Sequence, residues 1–291
     1  TNNIIYLCET TSTKRLFFLG SIGSCTASFG IFIASSIATI FYEIFSSTYL
    51  SLWGWRLAYS ISLLIGVTTY LMRRNMEETT VFQEIVNKKR IINNPILDSY
   101  KSQRKDYLIA FGLTLLPATA FNYVFMFLPN YLISSLGTNA SKALSDNSIS
   151  LLFRLSIIPI LGIIADKIGG IKIARLASIL FLILSIPLFY SIIYPSFFTT
   201  ISIYLFAILT TLNAATTPGL LMKMLKPETR STIFSFTFNC CFGIFGGIVP
   251  FISFLLINET GSKMASVYYL MFAALITFVA TFFFKGNRGY E

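Results

Sequence analysis

Long uncharged runs alternate with short basic connections along the whole chain. Runs of this length predict about eight membrane-spanning helices. They fall near Leu16–Tyr42, Trp53–Met72, Tyr107–Leu136, Asn147–Ala165, Ile171–Ile193, Phe197–Met222, Thr232–Ile257 and Ala265–Phe284. The expected fold is therefore all-α, a polytopic membrane helix bundle. The second run also has a direction. Trp53, Trp55 and Arg56 lie at one end and Arg73 and Arg74 at the other. Tryptophan favours the headgroup layer and Arg/Lys clusters favour the cytoplasmic side. Several runs contain proline, among them Pro117, Pro159, Pro187 and Pro218. Membrane helices tolerate proline because neighbours re-satisfy the freed carbonyls. One long polar connection, Asn75–Asp106, interrupts the pattern. Within it Val81, Phe82, Ile85 and Val86 recur at helical spacing, which predicts a short helix lying on the membrane or on the inner end of the bundle. The chain then divides into 1–74, with two spans, a loop 75–106, and 107–291, with six.

Composition sharpens this reading. Hydrophobic residues make up 55% of the chain and charged residues 12%, against about a quarter charged in soluble domains. The net charge of +10 points to membrane topology and not to nucleic acid, because the cations bunch between apolar runs. Lys14, Arg15, Arg73, Arg74, Lys88, Lys101, Lys167, Lys172, Arg175, Lys223, Lys226, Arg230 and Lys285 fill alternate connections. That asymmetry places the 75–106 loop and both termini in the cytoplasm. The chain has no histidine, which removes His-based metal sites and Ser-His or Cys-His triads. Cys8, Cys25, Cys240 and Cys241 lie in or beside apolar runs and read as small apolar residues. No cofactor, metal site or catalytic constellation is expected, so the chain is not read as an enzyme.

Several motifs then carry a family resemblance. Trp53-Gly-Trp-Arg56, a span, and Arg73-Arg-Asn-Met-Glu-Glu-Thr-Thr-Val-Phe-Gln-Glu84 resemble the end of the first half of a metabolite:proton symporter of the major facilitator superfamily. Gly162-Ile-Ile-Ala-Asp166-Lys-Ile-Gly169 is similar to the superfamily's cytoplasmic G-x-x-x-D-x-x-G loop. Phe242–Pro250 and Thr260–Tyr269 resemble the proline/betaine branch. The resemblance implies two helix bundles and secondary transport by alternating access. It implies a bacterial inner membrane, with protons and a small zwitterionic osmolyte or organic acid as partners. It also aligns Thr1 near the end of helix four, leaving the first three helices and most of the fourth outside the chain. A complete carrier would need them. The alternative is a chain that does not transport: a truncated or decayed carrier, or a membrane subunit that only binds. One departure stands out: where the family usually has a basic residue after the loop glycine, Gly170 stands here.

Candidate residues follow. Arg154 is the one charge well inside a run, roughly 12 Å from its outer end. It faces a cavity, where it could attract a carboxylate, or snorkels to the interface. Asn122 and Tyr123 lie mid-run beside Phe121 and Phe125, where aromatic faces could hold a quaternary ammonium. Alternatively, they face lipid. Asn213 and Asn239 are amides in apolar runs that either bind substrate or join helices. No acidic residue falls at mid-run, although proton coupling needs an ionisable group there. For gating, the resemblance points to Asp166, Gly162 and Gly169, with Asp166 meeting the start of the first span near Lys14 and Arg15, where a helix N-terminus favours a carboxylate.

Overall fold

In lipid each peptide group must find its hydrogen bond within the protein, which favours helices. The computed structural model describes residues 2–10, 15–74, 78–88, 94–194 and 197–286, and among them there is no strand. In chain order, apart from short helical turns at Ser47–Tyr49 and Leu50–Gly54, the helices are α1 (Asn2–Glu9), α2 (Leu16–Ile44), α3 (Trp55–Arg74), α4 (Thr80–Asn87), α5 (Pro95–Ser102), α6 (Arg104–Ser134), α7 (Ala140–Ile168), α8 (Gly170–Ile193), α9 (Phe198–Met224), α10 (Pro227–Thr260) and α11 (Ala265–Phe283). Seven of the described helices are long and apolar enough to cross a membrane: α2 and α6 to α11. The expected count of about eight included α3. That helix forms over 20 residues, but Arg56, Arg73 and Arg74 at its ends dilute its apolar content. α7 starts well before Asn147, because Asn139 caps it by accepting the N–H of Ser141 at 2.8 Å. The polar residues Ser141, Lys142 and Asp146, read as a connection, form its first turns.

Helices α6 to α11 share the main core, in which Tyr123, Phe127, Phe181, Phe189 and Phe206 are fully buried. α6 is fixed against α11 through its own backbone. Pro117 sits inside α6. Nearby, Thr277 of α11 donates to the Gly112 carbonyl at 2.6 Å and accepts the Leu116 N–H at 3.1 Å. A side chain inserted into the helix ladder is a recognised cause of bending. Wide, π-type turns follow at Tyr123–Phe127 in α6 and Cys240–Gly246 in α10.

Against this bundle lies α2, which packs along α7 and α9. Its seam with α7 is polar from end to end. Ser35 meets Ser148 at 2.9 Å, and Glu43 accepts from Ser141 at 3.0 Å. Near the other end Gly162 of α7 lies so close to Ser21 and the Phe18 backbone that a Cβ there would collide with both. Phe17, 2% exposed, has its ring held between Gly170 of α8 and Gly219 of α9. The space beside Gly170 is thus filled by an aromatic ring, and Lys223 lies over that ring at 4.7 Å. The end of the bundle carrying Arg15, Lys167, Lys172, Lys223 and Lys226 is called the basic end below.

Candidate functional site: a central cavity and two contacts at the basic end

A cavity of about 320 Å³ lies where α1, α2, α6, α7, α9 and α10 meet. That is at the small end of the roughly 300–1,000 Å³ typical of small-molecule sites. Its polar lining comes from Ser24, Ser28, Arg154, Thr217 and Asn239, and its aromatic walls are Phe121, Phe238 and Phe242. Phe238 and Phe242 stack at 4.6 Å, one helical turn apart.

Arg154 is 6% exposed and held in place from both sides. Its Nε donates to Ser28 Oγ of α2 at 3.0 Å, and its Nη1 donates to Thr210 Oγ1 of α9. The guanidinium carbon lies 5.1 Å from the centre of the Phe121 ring and 5.7 Å from that of Phe125. Such faces partly offset the loss of water around a cation. Among the described residues no carboxylate lies within ion-pairing distance of it. A guanidinium has five N–H groups, and the two bonds to hydroxyls leave three for something else. A buried cation without a counter-ion is costly unless an anion joins it. Chemically, the site offers free guanidinium N–H groups and aromatic faces within one cavity.

The other sequence candidates separate. Asn239 lines the cavity with its side chain open to it. Asn122 bonds the Ala118 carbonyl of its own helix at 2.9 Å and lies against Gly246 of α10. It joins two helices and is not part of the cavity lining. Tyr123 is fully buried in the core, its hydroxyl 3.0 Å from Ser266 of α11. It faces neither lipid nor the cavity, because its ring packs among Phe127, Phe189 and Phe206. Asn213 is fully buried, and neither its oxygen nor its nitrogen has a hydrogen-bond partner among the described residues. It also lies outside the cavity lining.

At the basic end Asp166, in the last turn of α7, accepts the backbone N–H groups of Phe17 at 2.9 Å and Phe18 at 3.0 Å. These belong to the first turn of α2, where N–H groups lack intrahelical partners and the helix dipole favours a negative charge. Gly169 has φ +94, a left-handed conformation that suits glycine, and ends α7 directly after this contact. Arg15, directly before α2, is exposed, and Lys14 lies outside the described residues. A second contact was not foreseen. Glu9 of α1 pairs with Arg230 of α10 at 2.9 Å, with side chains 9% and 1% exposed. The residues lie 221 positions apart, so no local spacing announces them. Ser24, Ser28 and Thr210 were missed because isolated hydroxyls in apolar runs are common. The one signal for the two serines is the spacing of Ser21, Ser24 and Ser28 along a single face of α2.

Residues 2–250 match the family model described as Major Facilitator Superfamily. The chain belongs to the major facilitator superfamily. Its members are transporters and not enzymes, and the chain is a multi-pass membrane protein. Among this superfamily member's curated relatives is a protein of Staphylococcus aureus (strain COL) named "Putative proline/betaine transporter", 28% identical over 98% of the chain and 62% of the relative. Proteins named "Citrate-proton symporter" from Klebsiella pneumoniae and Salmonella typhi are 24% and 27% identical, over 95% and 98% of the chain. They are covered over 62% and 66% of their own lengths. The chain thus spans about 62% of the first of these relatives.

Proposed function

We propose that the chain is the substrate-gripping and gating part of a secondary carrier for a small monocarboxylate zwitterion of the proline or betaine type. The observation that supports this most is Arg154: a buried cation, fixed by Ser28 and Thr210, with no acidic partner among the described residues. A substrate carboxylate takes its remaining N–H groups in charge-assisted bonds. The stacked pair Phe238–Phe242 then faces the alkylated ammonium; that of betaine has no N–H to satisfy, and the two N–H groups of proline turn to Asn239 and the serines. A primary ammonium would need oxygen partners beyond Asn239 and the serines. A tricarboxylate such as citrate would bring three negative charges to one cation, so citrate is the second choice.

The basic end is the cytoplasmic side in this reading, by the positive-inside rule. Asp166 closes it by holding the first turn of α2. Transport then alternates between opening this contact and opening the far end of the α2–α7 seam. Proton coupling falls to groups beyond the described spans, since none of the described carboxylates lies at mid-span. Accordingly the chain by itself binds substrate but does not accumulate it.

The test is equilibrium binding of labelled glycine betaine, proline and citrate to the purified chain in nanodiscs, with uptake by proteoliposomes alongside. Betaine and proline binding, lost in Arg154→Gln and accompanied by no proton-driven uptake, is the expected result. Binding that survives Arg154→Gln overturns the assignment of the anchor. Citrate bound more tightly than betaine overturns the substrate class.

A further inference from the structure

The polar connection between α3 and α6 does more than link two parts of the chain. Its described ends, Glu78–Lys88 and Asn94–Gln103, both reach the first turn of α10. At the near end Thr79 has two tasks. Its Oγ1 accepts the Phe82 N–H at 3.2 Å and so caps α4. The same hydroxyl donates to Glu9 Oε2 at 2.8 Å. The other oxygen of Glu9 is the one paired with Arg230. At the far end Gln103 Nε2 donates to Oγ1 of Thr229, the residue before Arg230, at 2.8 Å. Thr79, Gln103 and Thr229 are all buried.

A shielded carboxylate needs donors on both oxygens, and the second donor is worth most where water is scarce. Arg230 supplies one and Thr79 the other. Helix α4 itself has little else to hold it. None of its residues is fully buried, and Phe82 and Val86 remain 45% and 42% exposed. Beneath it runs an open groove of about 410 Å³, lined among others by Tyr6, Glu9, Glu78 and Phe82. The helix can therefore leave without tearing a packed core.

We propose that this loop is a clasp: Thr79 and Gln103 are positioning residues for the Glu9–Arg230 pair, and α4 undocks before α1 and α10 separate. The clasp holds α1 to α10, whereas Asp166 holds α2 to α7, so the two contacts close different pairs of helices. It also stands whether or not the central cavity takes a zwitterion.

Cys8 supplies the reporter. It is 1% exposed, directly precedes Glu9, and lies in the cluster that includes Leu16 and Leu225. The experiment uses the whole chain in membranes, with Cys25, Cys240 and Cys241 changed to serine, and measures the rate of alkylation by N-ethylmaleimide. Thr79→Val, which keeps the shape and removes the hydroxyl, raises the rate about tenfold, and Thr79→Ser leaves it unchanged. Arg230→Met raises it as well, and adding Thr79→Val to Arg230→Met gives no further rise, because both act through Glu9. Asp166→Asn combined with Thr79→Val gives the product of the single effects. Gln103→Leu tests the other end of the clasp and carries the same expectation should Thr79→Val fail to fold. An unchanged rate in Thr79→Val or Gln103→Leu, with Arg230→Met fast, overturns the proposal. Equal acceleration by Thr79→Ser and Thr79→Val overturns it too, since packing and not the hydroxyl would then be responsible.

Discussion

Changing Asp166 to asparagine keeps the side chain's shape and removes two things at once. An amide presents one acceptor oxygen, so one of the N–H groups of Phe17 and Phe18 loses its partner and the other bonds to a neutral oxygen. Bonds to a charged group are worth about 1.5–3 kcal/mol each, against roughly 1 kcal/mol for neutral ones. The interaction of the charge with the helix dipole adds about 0.3–1 kcal/mol. Asp166 is only part-buried, so screening reduces the total. A loss of about 2 kcal/mol remains, which corresponds to a roughly 30-fold shift in the equilibrium between closed and open basic ends. A single cysteine at Ser21 reports it. Ser21 is fully buried one turn inside the contact, beneath Gly162. In a chain otherwise free of cysteine, its alkylation rate follows the open fraction. Asp166→Asn should raise that rate at least tenfold with little change in expression. A rate within twofold of the parent would mean that the carboxylate contributes nothing to closure, and the gating argument would fail.

Other outcomes follow from the same contacts. Arg154→Lys keeps the charge but cannot reach both Ser28 and Thr210 with a planar fork, so betaine affinity should fall more than tenfold, measured by the same nanodisc binding. Gly162→Ala should lower the unfolding temperature in detergent, since overpacking costs about 1–3 kcal/mol. Gly30→Ala, with nothing within 4 Å of the added carbon, should leave that temperature unchanged or raise it. Cysteines placed at Lys88 and Lys142, both exposed, should react with impermeant reagents from the cytoplasmic and the outer side respectively; both reacting from one side, or the two sides exchanged, would overturn the proposed topology.

The helices were legible because lipid leaves the backbone few choices, so length and apolarity almost specify them. The short helix at Thr80–Asn87 was legible too, from Val81, Phe82, Ile85 and Val86. Helix starts were read less well. The true start of α7 depends on one Asn139 cap, and its polar first turns look like a connection. Arg154 and Asp166 stood out because charge in or beside an apolar run needs a physical reason. The amides were harder: Asn122, Asn213 and Asn239 look alike in sequence, and only packing separates the helix-joining amide, the sealed one and the one open to the cavity. Glu9 and Arg230 resemble any other charges at the basic end. Their pairing depends on how α1 and α10 meet, which no single segment encodes.

The ring of Phe17, caught between Gly170 and Gly219, constrains how such chains can diverge. Any side chain larger than hydrogen at either glycine competes for the volume of that ring. A branch restoring a basic residue at position 170 must therefore also shrink residue 17, and Lys223 would then lose the aromatic face it covers. Three positions on three helices thus form one heritable unit: across related sequences, bulk at 170 or 219 should travel with a small residue at 17, and a ring at 17 with the glycine pair.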